Sequence, residues 1–367
     1  MSTKYFSAIE LLKPPTERSA FSDRQAYVCA ELSKLAYFKF EGGHTLDDAL
    51  RIAKKVFGED KRLTILEEQL KLLLTASPSA EAESKEALRA ILLEAKFALE
   101  DTFANRGTEA FLCSRKVVMP GGGGKTVAYL VFRGTEPGDF RDIRTDVRAA
   151  LEPLDVDGAK MSMHSGYLAA FNLVRSEIEA KLKQVRCDQL IITGHSLGGA
   201  LAMVATRLLA ADSTGACYTY GAPPIGTVEV QNGLKTPVHQ IVNETDIVPR
   251  LPNPWLTTGV AMLLRLLRIV AKSVTVLNSL LSNGTWDEKL EAYIEAMTKY
   301  RHPGYISYLV GSGNDARLRY NVDGFDRLRW WLKMIGKEWF GGFKKMVGDH
   351  SIDLYIDKLR VHALRRQ

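Results

Sequence analysis

Cysteine is scarce. The 367 residues hold four, Cys29, Cys113, Cys187 and Cys217, far apart and with no C-x-x-C pair. That spacing argues against a zinc site and offers no disulfide framework, so reduced thiols are expected. Neither a metal nor a cofactor is implied. A secretory signal is also missing, because residues 1–15 lack a basic stretch followed by an apolar one. The chain is therefore expected to be cytoplasmic or peripherally membrane-bound, with any export by a non-classical route. No apolar run is clean enough to span a membrane. The longest, 260–281, carries Arg265, Arg268 and Lys272 in its middle. A phosphate loop is absent too. Gly124-Lys125-Thr126 resembles the end of one, but Met119 stands where the first glycine belongs, and a strand-like run follows where a helix is needed. Nucleotide binding is not expected, and no internal repeat is visible. The remaining composition, 46% apolar and 25% charged with a net charge of +6, is that of an ordinary soluble protein.

What is present centres on residues 190–200, Leu-Ile-Ile-Thr-Gly-His-Ser-Leu-Gly-Gly-Ala. The apolar start reads as a short buried strand. Gly194 and Gly198 bracket Ser196 in a G-x-S-x-G pattern. Residues 200–211 are mostly Ala, Leu, Met and Val, which suit a buried helix. Strand, sharp turn and helix form the context of a nucleophile elbow. The helix start would aim free N–H groups at a developing oxyanion. The competing reading is a tight turn whose serine only caps the helix.

Along the chain, residues 19–40 read as an opening helix capped by Ser22 or Asp23. Residues 46–106, rich in Leu, Ala, Glu and Lys, read as helices with a break near 76–82. Residues 110–118 and 126–132 form a predicted hairpin around the glycine-rich turn. Residues 163–167 lead into a helix running to about 183. Strands are expected at 216–220 and 237–243. The order is that of an α/β fold with its parallel part in the second half.

A serine nucleophile needs a base, and the base needs a carboxylate to fix its tautomer. In α/β-hydrolases the order is serine, acid, histidine. Asp246 lies just past the predicted strand 237–243, where a carboxylate can serve a site at that sheet edge; the alternative is a turn-capping role. Of seven histidines, His302, His350 and His362 follow it. His195 is expected to point away from the serine, and His239 to be a core or edge residue. Between His302, in Arg-His-Pro-Gly, and His350, in Asp-His-Ser, local physics does not choose.

Here the sequence resembles the class 3, or fungal-type, triacylglycerol lipases and their phospholipase A1 relatives. The matching pieces occur in order: Phe132-Arg133-Gly134-Thr135, Asp146, His164-Ser165-Gly166-Tyr167, Gly194-His195-Ser196-Leu197-Gly198-Gly199, Tyr220-Gly221-Ala222-Pro223, Asp246-Ile247-Val248-Pro249, His302-Pro303-Gly304 and Asp349-His350. They cover about 108–250 and 300–356. The resemblance implies a catalytic set of Ser196, Asp246 and His350, with His302 structural. It also implies an oxyanion hole formed by the backbone N–H of Leu197 and by Thr135. The chain departs from fungal members in lacking a secretory signal and a disulfide set. Its residues 136–161, where the family's lid would lie, are polar and charged.

Two stretches suggest contact with lipid. In 260–281 the three cations fall on one helical stripe opposite a broad apolar face, as in a helix lying in a membrane interface; a core-covering helix is the alternative. Residues 317–345 interleave Arg and Lys with Trp330, Trp331 and other aromatics, which fits anionic headgroups. No nucleic-acid motif accompanies them. The expectation is one α/β-hydrolase domain over 1–367. Its central sheet is mostly parallel, with an N-terminal helical insertion at about 46–106 and a helical, lid-like one at about 252–298. The expected function is hydrolysis of lipid carboxylic esters. The rivals are a soluble short-chain carboxylesterase and a non-catalytic membrane-binding module of the same fold. Protein partners are not legible.

Overall fold

The computed structural model describes residues 5–12, 20–38, 78–118, 123–134, 151–156, 158–209, 215–232, 234–250, 295, 298–327, 329–330, 333 and 348–366. The chain opens with helix α1, Asp23–Leu35, whose Ser22 hydroxyl accepts from the Gln25 N–H as an N-cap. Helix α2 follows at Pro78–Glu94. Then come β1 (Ala98–Asn105), β2 (Thr108–Val118) and β3 (Gly124–Phe132). A separate two-stranded hairpin pairs β4 (Leu151–Val156) with β5 (Ala159–His164). Helices α3 (Ser165–Asn172) and α4 (Arg175–Val185) lead to β6 (Gln189–His195), and α5 (Leu197–Leu209) leads to β7 (Ala216–Tyr220). Strands β8 (Val238–Asn243), β9 (Tyr305–Val310) and β10 (Arg317–Arg319) precede the final helix α6 (Ile352–Arg365).

Eight strands form the main sheet in the order β1-β2-β3-β6-β7-β8-β9-β10. From β3 through β9 the neighbours run parallel; β1, β2 and β10 join antiparallel at the flanks. The mostly parallel α/β sheet is as expected. β6, β7 and β8 are buried at every position, which a parallel sheet covered on both faces requires. Alternate side chains divide between two cores. Tyr129, Val131, Ile191, Tyr218 and Ile241 pack with α1 and α6 on one face. Leu130, Phe132, Ile192 and Cys217 pack with α3 and α5 on the other.

Three expectations need correction. The helical reading of 46–106 fails at its end, because 98–105 is strand β1. Its Ala, Leu and Glu favour helix weakly, and cross-strand pairing with β2 overrides that preference. Arg106 and Gly107 both have positive φ, at 47° and 84°, the signature of a type I′ hairpin turn. The single helix expected up to about 183 is two, separated at Leu173 and Val174. Trp330, expected to face lipid, is 6% exposed. Its ring centroid lies 5.3 Å from that of Tyr308 in β9, and the Arg327 guanidinium lies over the same tyrosine. The expected lid-like segment at 252–298 lies outside the described residues except for Glu295 and Thr298. Arg265, Arg268, Lys272, Trp331 and Thr135 lie outside them as well.

Candidate active site

Ser196 follows the last residue of β6 and precedes the first of α5, with φ of +57°. A side-chain-bearing residue in that left-handed region is strained, and the neighbours explain how the strain is held. The Ser196 N–H donates to Tyr220 O at 2.9 Å, so the turn is tied to the next strand. Its carbonyl accepts from the Gly199 N–H at 3.0 Å, which closes the elbow into the helix. Any side chain on Gly194 would collide with the Gly198 carbonyl, and one on Gly198 would collide with the end of β3. The serine is 1% exposed, and among the described residues its Oγ has no hydrogen-bond partner. A buried hydroxyl with nothing to bond is costly unless something else is meant to meet it. Leu197 is the first residue of α5, so its N–H has no intrahelical acceptor.

The candidate acid and base, Asp246 and His350, lie beyond β8 and at the start of α6. Asp246 is fully buried three residues beyond β8. Its Oδ1 accepts from the Val248 N–H at 2.9 Å. Its Oδ2 meets His350 Nδ1 at 2.7 Å and the Tyr355 hydroxyl at 2.6 Å. Three donors around one carboxylate compensate its burial. Burial, and next the Asp246 charge, raise the Tyr355 pKa well above its ordinary value, so the phenol stays protonated and donates. Arg250 bonds back to the Asp246 and Glu244 carbonyls at 3.1 and 2.7 Å and closes the acid loop.

His350 is 2% exposed and lies at the start of α6, directly before Ser351. Asn243, the last residue of β8, braces it. The Asn243 amide donates to Asp349 O at 2.9 Å, its backbone N–H to the Tyr355 hydroxyl at 2.9 Å, and its Oδ1 accepts from Lys358 Nζ at 2.6 Å. Gly221 lies over the pair with φ of +57°. A Cβ there would stand 2.7 Å from Asp246 Oδ2 and 2.9 Å from His350 Nδ1.

His302 occupies a different place. Its ring nitrogens face Gln240 Oε1 at 2.8 Å and Pro249 O at 2.6 Å, tying the acid loop to β8. Desolvation lowers its pKa to about 4. The His195 ring packs against that of His350, with 4.6 Å between centroids. His239 packs among Phe21, Tyr218 and Tyr305. Sequence reasoning missed the roles of Asn243, Tyr355 and Lys358. Their partners are more than a hundred residues distant, and no local pattern signals them.

Residues 129–255 match the family described as lipase (class 3). The chain is 27% identical over 314 residues to the toxin TseL of Vibrio cholerae, covering 78% of this chain and 47% of that protein. It is 34% identical over 152 residues to a lipase of Rhizomucor miehei, covering 37% and 40%. The chain thus spans less than half the length of these relatives. Among solved structures, it aligns with the native Rhizomucor miehei lipase propeptide complex at 20% identity and a TM-score of 0.39, over 60% of this chain and 59% of that one. A mutant form of MDLA from Penicillium cyclopium aligns at 16% identity and a TM-score of 0.46, over 92% and 96%.

Proposed function

We propose that the chain is a serine hydrolase that cleaves carboxylic esters of lipids, a reading supported by its match to the class 3 lipase family over residues 129–255 and by its similarity to a fungal lipase. Ser196 Oγ attacks the ester carbonyl while His350 Nε2 takes its proton. Asp246 holds the Nδ1–H tautomer and stabilises the imidazolium. The Leu197 N–H, with Thr135 as the second donor, receives the negative charge on the carbonyl oxygen. Collapse of the tetrahedral intermediate expels the alcohol, which takes the proton from His350. Water activated by the same histidine then releases the acyl group from the serine.

The observation that carries this reading is the strained, buried Ser196 with its unpartnered hydroxyl, on the sheet that also ends at the 2.7 Å His350–Asp246 pair. A serine that merely capped a helix would bond its own N–H groups. The lipid class of substrate is supported by the family and by the names of the relatives. The choice between triacylglycerol and phospholipid rests on assay. Contact with a lipid interface is part of the proposal, supported by the apolar run 260–281 with its three cations.

The test compares Ser196→Ala, His350→Ala and His302→Ala on triglyceride, phospholipid and short-chain esters. The first two are expected to lose at least ~1000-fold in turnover while staying folded. His302→Ala is expected to keep activity, or to lose it only together with stability. Activity kept in Ser196→Ala would contradict the mechanism, and loss confined to His302→Ala would mean that the base is His302. Turnover of the short-chain ester alone would favour the soluble esterase reading.

A further inference from the structure

His195 stands directly before Ser196, and its ring centroid lies 4.6 Å from that of His350. It is 3% exposed. Its Nε2 lies 2.7 Å from the backbone carbonyl of His350, which only accepts. That nitrogen therefore carries the hydrogen. Burial, and next the nearby His350, push the His195 pKa well below its ordinary value, so the ring is neutral and its Nδ1 is bare. Nδ1 meets the Tyr37 hydroxyl at 2.8 Å, and the phenol donates to it. Tyr37 lies two residues beyond the last residue of α1. Its hydroxyl also lies against Gly134, where any added side chain would run into it and into the His195 carbonyl.

Three parts of the proposed site thus meet around His195 and Tyr37: Gly134, two residues beyond β3, the elbow, and the main chain of the base. The Tyr37 hydroxyl fixes the tautomer, and the tautomer fixes the bond to His350. From this geometry we propose that His195 is a positioning residue for the base. It holds the His350 main chain so that Nδ1 stays on Asp246, and Tyr37 holds His195 in the tautomer that does this. The helix preceding Tyr37 is then part of the catalytic support rather than a flank of the core. The proposal rests on the hydrolase reading above.

The test uses His195→Gln, His195→Leu and Tyr37→Phe in the full chain. Glutamine can return an N–H to the His350 carbonyl; leucine cannot. His195→Leu is expected to lower kcat by roughly ten- to a hundredfold with KM little changed, as loss of one or two hydrogen bonds expressed in the transition state would do. His195→Gln is expected to recover most of that loss. Tyr37→Phe, which deletes one partly buried hydroxyl, is expected to lower kcat by about three- to tenfold. A second readout needs no turnover. With labelled histidine, the low-field proton resonance of His350 Nδ1–H should be sharp in the wild type, broadened or shifted in His195→Leu, and restored in His195→Gln. Wild-type kcat and an unshifted resonance in folded His195→Leu would overturn the proposal, as would glutamine and leucine behaving alike. If Ser196→Ala retained activity, the hydrolase reading would fail, while the resonance would still report on whether His195 holds His350. Should His195→Leu fail to fold, Tyr37→Phe decides: unchanged kcat together with an unchanged resonance would overturn the proposal.

Discussion

Gly221 shows how little room the paired acid and base leave. Its φ of +57° disfavours any side chain, and a methyl there would press on both Asp246 Oδ2 and His350 Nδ1. Neither neighbour is a flexible tip: Asp246 is held by the Val248 N–H and the Tyr355 hydroxyl, and the buried His350 ring bonds Asp246 and packs on His195. Gly221→Ala is therefore expected to lengthen the 2.7 Å contact and lower kcat at least ~10-fold, a change of about 1.4 kcal/mol in barrier. Stability should fall by about 1–2 kcal/mol from the left-handed backbone and the clash. A kcat measurement beside a urea melt checks both. At this scale the site is partly legible in the sequence. Ser196 and Asp246 stand out as candidates because an elbow and a strand-end loop are local patterns. His350 cannot be told from His302 by the residues alone, since the difference is which ring meets a carboxylate 104 residues away. The family resemblance supplies that choice.

The C-terminal helix α6 links base to acid within one element. His350 precedes it, and Tyr355 within it reaches back to Asp246 at 2.6 Å. Lys358, one turn later, reaches Asn243 at the end of β8. Tyr355→Phe removes a hydrogen bond to a buried carboxylate, worth about 1.5–3 kcal/mol, and leaves the Asn243 N–H short of an acceptor. A lower midpoint in chemical denaturation is expected, together with a fall in kcat and an unchanged KM. Retention of wild-type stability would show that the phenol does not support the acid. Elements are legible where periodicity is unambiguous, as in β2, β3, β6, β7 and α1. β1 reads as helix because helix-forming residues fill it, although the Arg-Gly turn beside it marks a hairpin. β9, Tyr-Ile-Ser-Tyr-Leu-Val, is an aromatic and β-branched run bounded by Gly304 and Gly311, a strand pattern, and it extends the parallel sheet beyond β8. In the β4–β5 hairpin, β4 has only exposed and partly exposed positions, whereas β5 alternates Ala159, Met161 and Met163 with Lys160 and Ser162, and Asp-Gly at 157–158 is a hairpin-turn pair.

For the whole molecule, the sheet acts as a frame: Ser196 follows β6, Asp246 follows β8, and His350, at the start of α6, meets Asp246. No described helix is long and apolar enough to cross a membrane. The frame also carries a pH cost. Burial pushes the His302 pKa down from its ordinary 6.5 to about 4. The unfolded chain therefore binds a proton that the folded chain resists, so stability is present above pH 6.5 and is lost as pH falls from there toward 4. The contribution from this one ring cannot exceed about 1.4 kcal/mol per pH unit in that window. His302→Gln, compared with wild type by thermal unfolding between about pH 7 and 4, should show a shallower decline; parallel curves would mean that other groups set it. The central claim, that Ser196 is a nucleophile driven by His350, is tested most directly by mass spectrometry after treatment with a fluorophosphonate. The expected result is one adduct, on the peptide containing Ser196, absent in Ser196→Ala and formed far more slowly in His350→Ala. An adduct on another residue, or equal labelling of Ser196→Ala, would contradict it.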